Sequence, residues 1–307
     1  MKIVLIVILI LLGLLLLIGL CMAVYMMWTR MMRRPWYKKP CPHALEPYLD
    51  ELLEMETTLR GMGMEDHFAE SEGYTLHACL LDQGSKKIAV LVHGIEGCAR
   101  DRYLDAQYYL DRGYNLFLPD LRGCGLSEGH WYGMGQYERR DLLVWLKLLC
   151  ARFGDDCQIV LDGVSMGASS VLLTAGDGQA PNLAAVVADC GYTSAREEIA
   201  HGLSKFHVPL FPSYPIMRLL MALFARYDMN KAAPRELMRK MKTPVLFIHG
   251  EADGYIPCAM AHEMYMLCAS EKAIYTVPGA RHVGSRVTDR PGCEAAMDAF
   301  LGRFITE

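Results

Sequence analysis

"LDGVSMGASS" occupies residues 161–170 and holds Gly163-Val164-Ser165-Met166-Gly167. An apolar run leads into it and a small-residue, helix-permissive run follows. A serine spaced between glycines at a strand-to-helix junction fits a nucleophile elbow. That turn is so tight that bulky neighbours would clash, and it lifts the hydroxyl clear of a sheet. Taken alone the pattern decides little, because at average glycine and serine usage a chain of this length shows G-x-S-x-G by chance about one time in ten. The rest of the chain must supply the partners such a serine needs.

Short apolar runs alternate with longer amphipathic ones. Strands are expected over Tyr74–Leu81, Ile88–Val92, Asn115–Leu118, Gln158–Leu161, Ala184–Ala188, Val245–Ile248 and Ile274–Val277, with helical patterns such as Arg139–Cys150 and Ala259–Cys268 between them. Several of these runs lack period-two alternation, as strands buried on both faces of a parallel sheet do. The pattern predicts an α/β fold with a mainly parallel sheet and helices on both faces, and functional groups gathered at the carboxyl ends of the strands. Between Asp189 and Val245 no strand is expected. There "PSYPIMRLLMALFARYDM", residues 212–229, is apolar on more than one helical face, and a helical cap over the crevice, about 195–242, is the favoured reading over ordinary covering helices.

A serine hydroxyl at neutral pH needs an imidazole to take its proton and a carboxylate to fix that imidazole's tautomer. It also needs backbone N–H donors aimed at the developing oxyanion. Asp253 lies in "VLFIHGEADGYIP", residues 245–257, just past an expected strand, and His282 lies in "VPGARHVGS", residues 277–285, just past the next. One helix and one strand separate them, so both loops would emerge side by side in the order serine, acid, histidine. Glu251 and Asp189 are rival acids, Asp189 being read as a structural support. His93, His130, His201, His207 and His249 are rival bases, but none closes the expected strand order. The oxyanion donors would be the N–H of Met166 and that of Ile95, which sits in "VLVHGIEG", residues 90–97.

From Ile3 to Thr29 there is no charged residue, and "IVLIVILILLGLLLLIGLCMAVYMMW", residues 3–28, is long enough to cross a bilayer with some tilt. The run continues into bulky residues instead of ending at a small-residue cleavage site, which predicts an uncleaved anchor over residues 1–29. Lys2 stands alone on one side, while Arg30, Arg33, Arg34, Lys38 and Lys39 crowd the other. The positive-inside rule then puts the body of the protein in the cytoplasm, with Tyr25, Trp28 and Trp36 near the interface. Residues 30–69 read as a juxtamembrane linker with a polar helical lead-in, and residues 70–307 as the α/β domain. Eleven scattered cysteines with no C-x-x-C pair suit reduced thiols. Cys41-Pro42-His43 reads as linker, and no metal or cofactor is expected. A net charge of −4 without a basic block argues against nucleic-acid binding.

Beyond the elbow, "LPDLRGCGLSEG", residues 118–129, is similar to the D-x-R-G-x-G-x-S-x-G segment of the α/β-hydrolase superfamily's serine hydrolases. "DCGYTSAREEI", residues 189–199, resembles bacterial membrane-anchored members near the serine-aminopeptidase-like and acyl-hydrolase branch. The resemblance covers the chain from about residue 70 to the end. It implies the α/β-hydrolase fold, with Ser165 as nucleophile, Asp253 as acid, His282 as base, and Ile95 and Met166 as oxyanion donors. Asp120 and Arg122 are expected to form a buried ion pair or to brace a loop. Glu96, beside the expected oxyanion hole, departs from relatives that carry an uncharged or aromatic residue there. The activity expected is cleavage of carboxylic esters or thioesters of a lipophilic or small acyl substrate through an acyl-enzyme, the anchor and apolar cap suiting a substrate from the bilayer. A peptidase or amidase on the same three residues is the alternative, and a non-catalytic membrane-tethered scaffold is disfavoured by the joint presence of all three.

Overall fold

The computed structural model describes residues 2–32 and 46–306. The basic residues between Arg33 and Lys39, Trp36 and the Cys41-Pro42-His43 stretch lie outside the described residues.

Eight strands form one sheet in the order β1-β2-β4-β3-β5-β6-β7-β8. They are β1 (Glu65–Ser71), β2 (Tyr74–Leu81), β3 (Lys87–Val92), β4 (Asn115–Pro119), β5 (Gln158–Val164), β6 (Leu183–Asp189), β7 (Val245–Gly250) and β8 (Lys272–Val277). From β4 to β8 every pairing is parallel, while β2 runs antiparallel to both β1 and β4. Seven strands coincide with the apolar runs of the sequence. The eighth, β1, has the sequence EDHFAES and forms a hairpin edge with mostly solvent-facing side chains, so it carries no core signature. The sheet therefore starts at Glu65, one whole strand earlier than the first apolar run, which begins at Tyr74.

β3, β4 and β5 are buried almost throughout, because helices cover both faces of the sheet. The helices are α1 (Lys2–Met26), α2 (Leu49–Gly61), α3 (Tyr103–Leu110), α4 (Gln136–Phe153), α5 (Met166–Gly176), α6 (Ala195–Ser204), α7 (Leu210–Phe224), α8 (Arg235–Met238), α9 (Ala259–Leu267), α10 (Ser285–Thr288) and α11 (Arg290–Leu301). One core cluster joins residues of α2, α3 and α11 to one sheet face. The larger cluster joins α4, α5, α6, α7 and α9 to the other. Each fully buried leucine, such as Leu161 in β5, contributes the few kcal/mol that truncation to alanine would cost, about 2–5.

Between β6 and β7 the chain runs through α6, α7 and α8. α7 turns Tyr214, Met217 and Met221 inward and leaves Leu219, Leu223 and Phe224 exposed. α1 is the one described helix long and apolar enough to cross a membrane, and 6% of its most apolar window is buried. Its contact is with α7: a Cβ at Gly19 would sit 2.5 Å from Pro212, so glycine there lets the two helices meet. A wider turn, Met27–Met31, continues α1 into the body of the protein. There Tyr132 N–H donates to the Met31 carbonyl at 2.8 Å, and Met32 bridges to Trp131.

Candidate active site

Ser165 occupies the one-residue turn between β5 and α5, at φ 57° and ψ −121°. An L-residue in that region is strained, and such strain persists only where the surroundings enforce it. Here they do so by crowding. A Cβ at Gly163 would run into the backbone of Gly167, and one at Gly167 into the carbonyls of Val92 and His93. The two glycines of the motif are thus required by close approach of strand, turn and helix. Ser165 N–H donates to the Asp189 carbonyl at 2.8 Å, which ties the turn to the end of β6.

The Ser165 hydroxyl oxygen lies 3.0 Å from His282 Nε2, and His282 Nδ1 lies 2.7 Å from a carboxylate oxygen of Asp253. A carboxylate can only accept, so in the neutral ring Nδ1 carries the proton and Nε2 is free to accept from Ser165. Residues 165, 253 and 282 come together from three loops at the carboxyl ends of β5, β7 and β8. The Asp253 side chain is fully buried, while that of His282 keeps 22% of its surface exposed.

The loop after β7 holds Asp253 in place. One carboxylate oxygen accepts from Tyr255 N–H and Ile256 N–H at 2.8 Å each, and the other faces His282 and, at 3.4 Å, His249 Nε2. Burial alone would raise this carboxyl group. The hydrogen bonds from His249 and His282 outweigh that and hold it below the usual carboxylate range. Tyr255 packs on the His282 ring with centroids 4.8 Å apart. The residue after the histidine, Val283, is β-branched at φ 62°, a second strained position beside the site.

Met166 is the first residue of α5, and Ile95 lies in the loop after β3. That loop runs directly along the elbow: a Cβ at Gly94 would lie 3.3 Å from the Ser165 Cβ. Ile95 and Met166 both line the same small recess as Ser165. Glu96 adopts φ 60° and lines a larger cavity that also reaches Ser165.

The rival residues have other partners. Glu251 is exposed and accepts from Thr276 Oγ1 at 2.8 Å. Asp189 is buried, accepts from Ser285 Oγ at 3.1 Å, and burial raises its carboxyl group. His93 lies under the loop, with Nε2 accepting from Leu121 N–H at 2.9 Å, and burial lowers its ring. His249 donates to the Ile256 carbonyl, His201 to that of Gly254, and His130 and His207 are exposed. Asp120 accepts from Ala99 N–H and Leu126 N–H, and Arg122 pairs with Asp141 and Glu72, so both brace the loops they sit on.

Cys190, Asp253 and His282 place ligand-type atoms within 4.8 Å of one another, as do Asp66, His77 and Cys79. Each set has partners of its own within the chain. Burial pushes the Cys190 thiol up, keeping it protonated, while Asp253 and His282 are already matched to each other. In the second set the Arg60 guanidinium, 2.7 Å from Asp66, is the cation. One neighbour of the site left no trace in the sequence: Tyr255, a loop residue whose ring packs at a tilt against the imidazole.

Comparison with known proteins agrees with this architecture. The sequence profile of the alpha/beta hydrolase fold family matches residues 89–215, which contain the loop after β3, the elbow and the start of the β6–β7 helices. The chain has the α/β-hydrolase fold. It is 29% identical over 213 residues to the uncharacterized protein YqkD of Bacillus subtilis, covering 69% of this chain and 70% of that one. It is 25% identical over 210 residues to YfhR of Escherichia coli K12, covering 67% and 66%. Among solved structures, the Pyrococcus furiosus esterase Pf2001 superposes with a TM-score of 0.65 at 21% identity, over 80% of this chain and 94% of the esterase. Est1E from Butyrivibrio proteoclasticus, solved with ferulic acid bound, superposes with a TM-score of 0.62 at 18% identity, over 78% and 100%. At such identities the likeness between these esterases and this chain is one of fold.

Proposed function

We propose that this α/β-hydrolase cleaves carboxylic esters or thioesters by acyl transfer through Ser165. The observation that carries the reading is the unbroken line from hydroxyl to imidazole to carboxylate, 3.0 Å and then 2.7 Å. Ser165 Oγ attacks the carbonyl carbon while its proton passes to His282 Nε2. The N–H groups of Met166 and Ile95 receive the negative charge on the carbonyl oxygen. As the tetrahedral adduct collapses, the imidazolium returns the proton to the departing oxygen or sulfur. A water then gives its proton to His282 and attacks the acyl-enzyme, releasing the acid and restoring Ser165. Asp253 stabilises the charged imidazole throughout. An amide would follow the same steps with a nitrogen leaving group.

The apolar α1, continuous with the body of the protein, supports a membrane-anchored enzyme, and the excess of arginine and lysine after it supports a cytoplasmic active site. A lipophilic or small acyl substrate is consistent with that setting.

The test is labelling by a fluorophosphonate, which traps only an activated serine. The wild-type chain should label at a rate similar to known serine hydrolases, Ser165→Ala not at all, and His282→Ala slower by about 10³-fold or more. Absence of labelling in folded wild-type protein would refute the reading.

A further inference from the structure

Two spaces of very different size adjoin Ser165, and Ile95 and Tyr255 line both. One is a cavity of about 420 Å³, whose walls mix Arg102, Asp105, Arg286 and Glu294 with apolar Leu104 and Val287. The other is a recess of about 10 Å³, no more than one water would fill, where Met31, Met134, Met166 and Ile256 meet Tyr192 and Glu198. His282 lines the large cavity and not the small recess. In acyl transfer the imidazole must hand its proton to the leaving atom, so the leaving group lies on the imidazole's side and the acyl group on the other.

Resting on the serine-hydrolase reading above, we propose that this enzyme removes short acyl groups, of acetyl size, from a larger alcohol. The residue that sets the limit is Met31, at the end of the apolar N-terminal helix. Met31 is fully buried although its own helix is almost wholly exposed. Its carbonyl accepts from Tyr132 N–H, and its sulfur lies 3.9 Å from the Tyr227 hydroxyl, which also donates to the Tyr132 carbonyl at 3.2 Å. The bridge from Met32 to Trp131 fixes the next residue. The N-terminal helix therefore supplies one wall of the acyl site. Met134 supplies another from the body of the protein.

The full chain in detergent is assayed on p-nitrophenyl esters from acetate to octanoate, reading the ratio of kcat/KM for hexanoate to that for acetate. This ratio does not depend on the folded fraction of a sample. Wild type is expected to favour acetate by at least about 10-fold, and Met31→Ala and Met134→Ala each to raise the ratio about 10-fold or more, since a methylene in an apolar pocket discriminates by about 10–200-fold. A wild type that prefers hexanoate overturns the short-acyl assignment while leaving the hydrolase reading intact. A shift in Met134→Ala without one in Met31→Ala overturns the role of the N-terminal helix. Failure to cleave any ester, together with failure to react with fluorophosphonate, is the separate signature of an error in the catalytic reading.

Discussion

Two histidines in this molecule are built alike at one end and differently at the other. His282 Nδ1 lies 2.7 Å from Asp253, and His77 Nδ1 lies 2.7 Å from Asp120. Beyond the ring, His282 Nε2 meets the Ser165 hydroxyl at 3.0 Å, while His77 Nε2 meets the Asp66 carboxylate at 3.1 Å. Burial would lower the His77 ring, but Asp120 and Asp66 outweigh it and push it up to about 10. A ring with a carboxylate at each nitrogen keeps both protons and can accept from nothing. An imidazole–carboxylate pair is therefore not a general base by itself. The partner at the far nitrogen decides, and a neutral hydroxyl leaves a lone pair available.

The largest effect expected of breaking this contrast comes from Asp253→Asn. An amide in that place can donate to Nδ1 and favour the wrong tautomer, so kcat/KM should fall by about 10⁴-fold with little change in fold. Asp189→Asn is the matched control, because the Asp189 side chain is also buried but faces Ser285 and Arg286, not the imidazole. Its loss of kcat/KM should be smaller by at least about 10²-fold, by the same tautomer argument. Steady-state rates on one activated ester decide between them, and a greater loss in Asp189→Asn would transfer the acid's role to β6.

Much of this was legible in the sequence, for reasons that differ between elements. The central strands announce themselves because burial on both faces demands uninterrupted apolar runs, as in Val90–Val92 and Ile159–Leu161. Ser165, Asp253 and His282 could be picked out because each follows such a run, and strand ends are where this topology delivers side chains. The edge strand β1 could not be read, since an outward-facing hairpin has no need of apolar residues. Met31 was hidden for another reason. An apolar residue ending an apolar helix carries no mark of reaching an active site, and only the register of Met31–Met32 against Trp131–Tyr132 brings it there.

The smallest effect falls on stability and sharpens the other half of the contrast. His77 is raised from its ordinary value of 6.5 to about 10, so its contribution is complete below pH 6.5 and is lost as the pH climbs toward 10. Asp66 is lowered from 3.8 to about 2, chiefly by the hydrogen bond from Arg60 and against the opposing effect of burial, so its contribution is complete above pH 3.8 and is lost as the pH falls through 2. Between pH 4 and 6.5 the cluster is at full strength. Asp66 keeps 42% of its side chain in solvent, so screening makes the acid limb the shallower one. His77→Gln should accordingly lower Tm by several degrees at pH 6, about what a loss of 1–2 kcal/mol produces, and by much less at pH 9.5. Thermal melts of the pair across that range measure the closing gap. A gap of constant width would mean that His77 carries no extra proton, and the two histidines would then differ in position but not in charge.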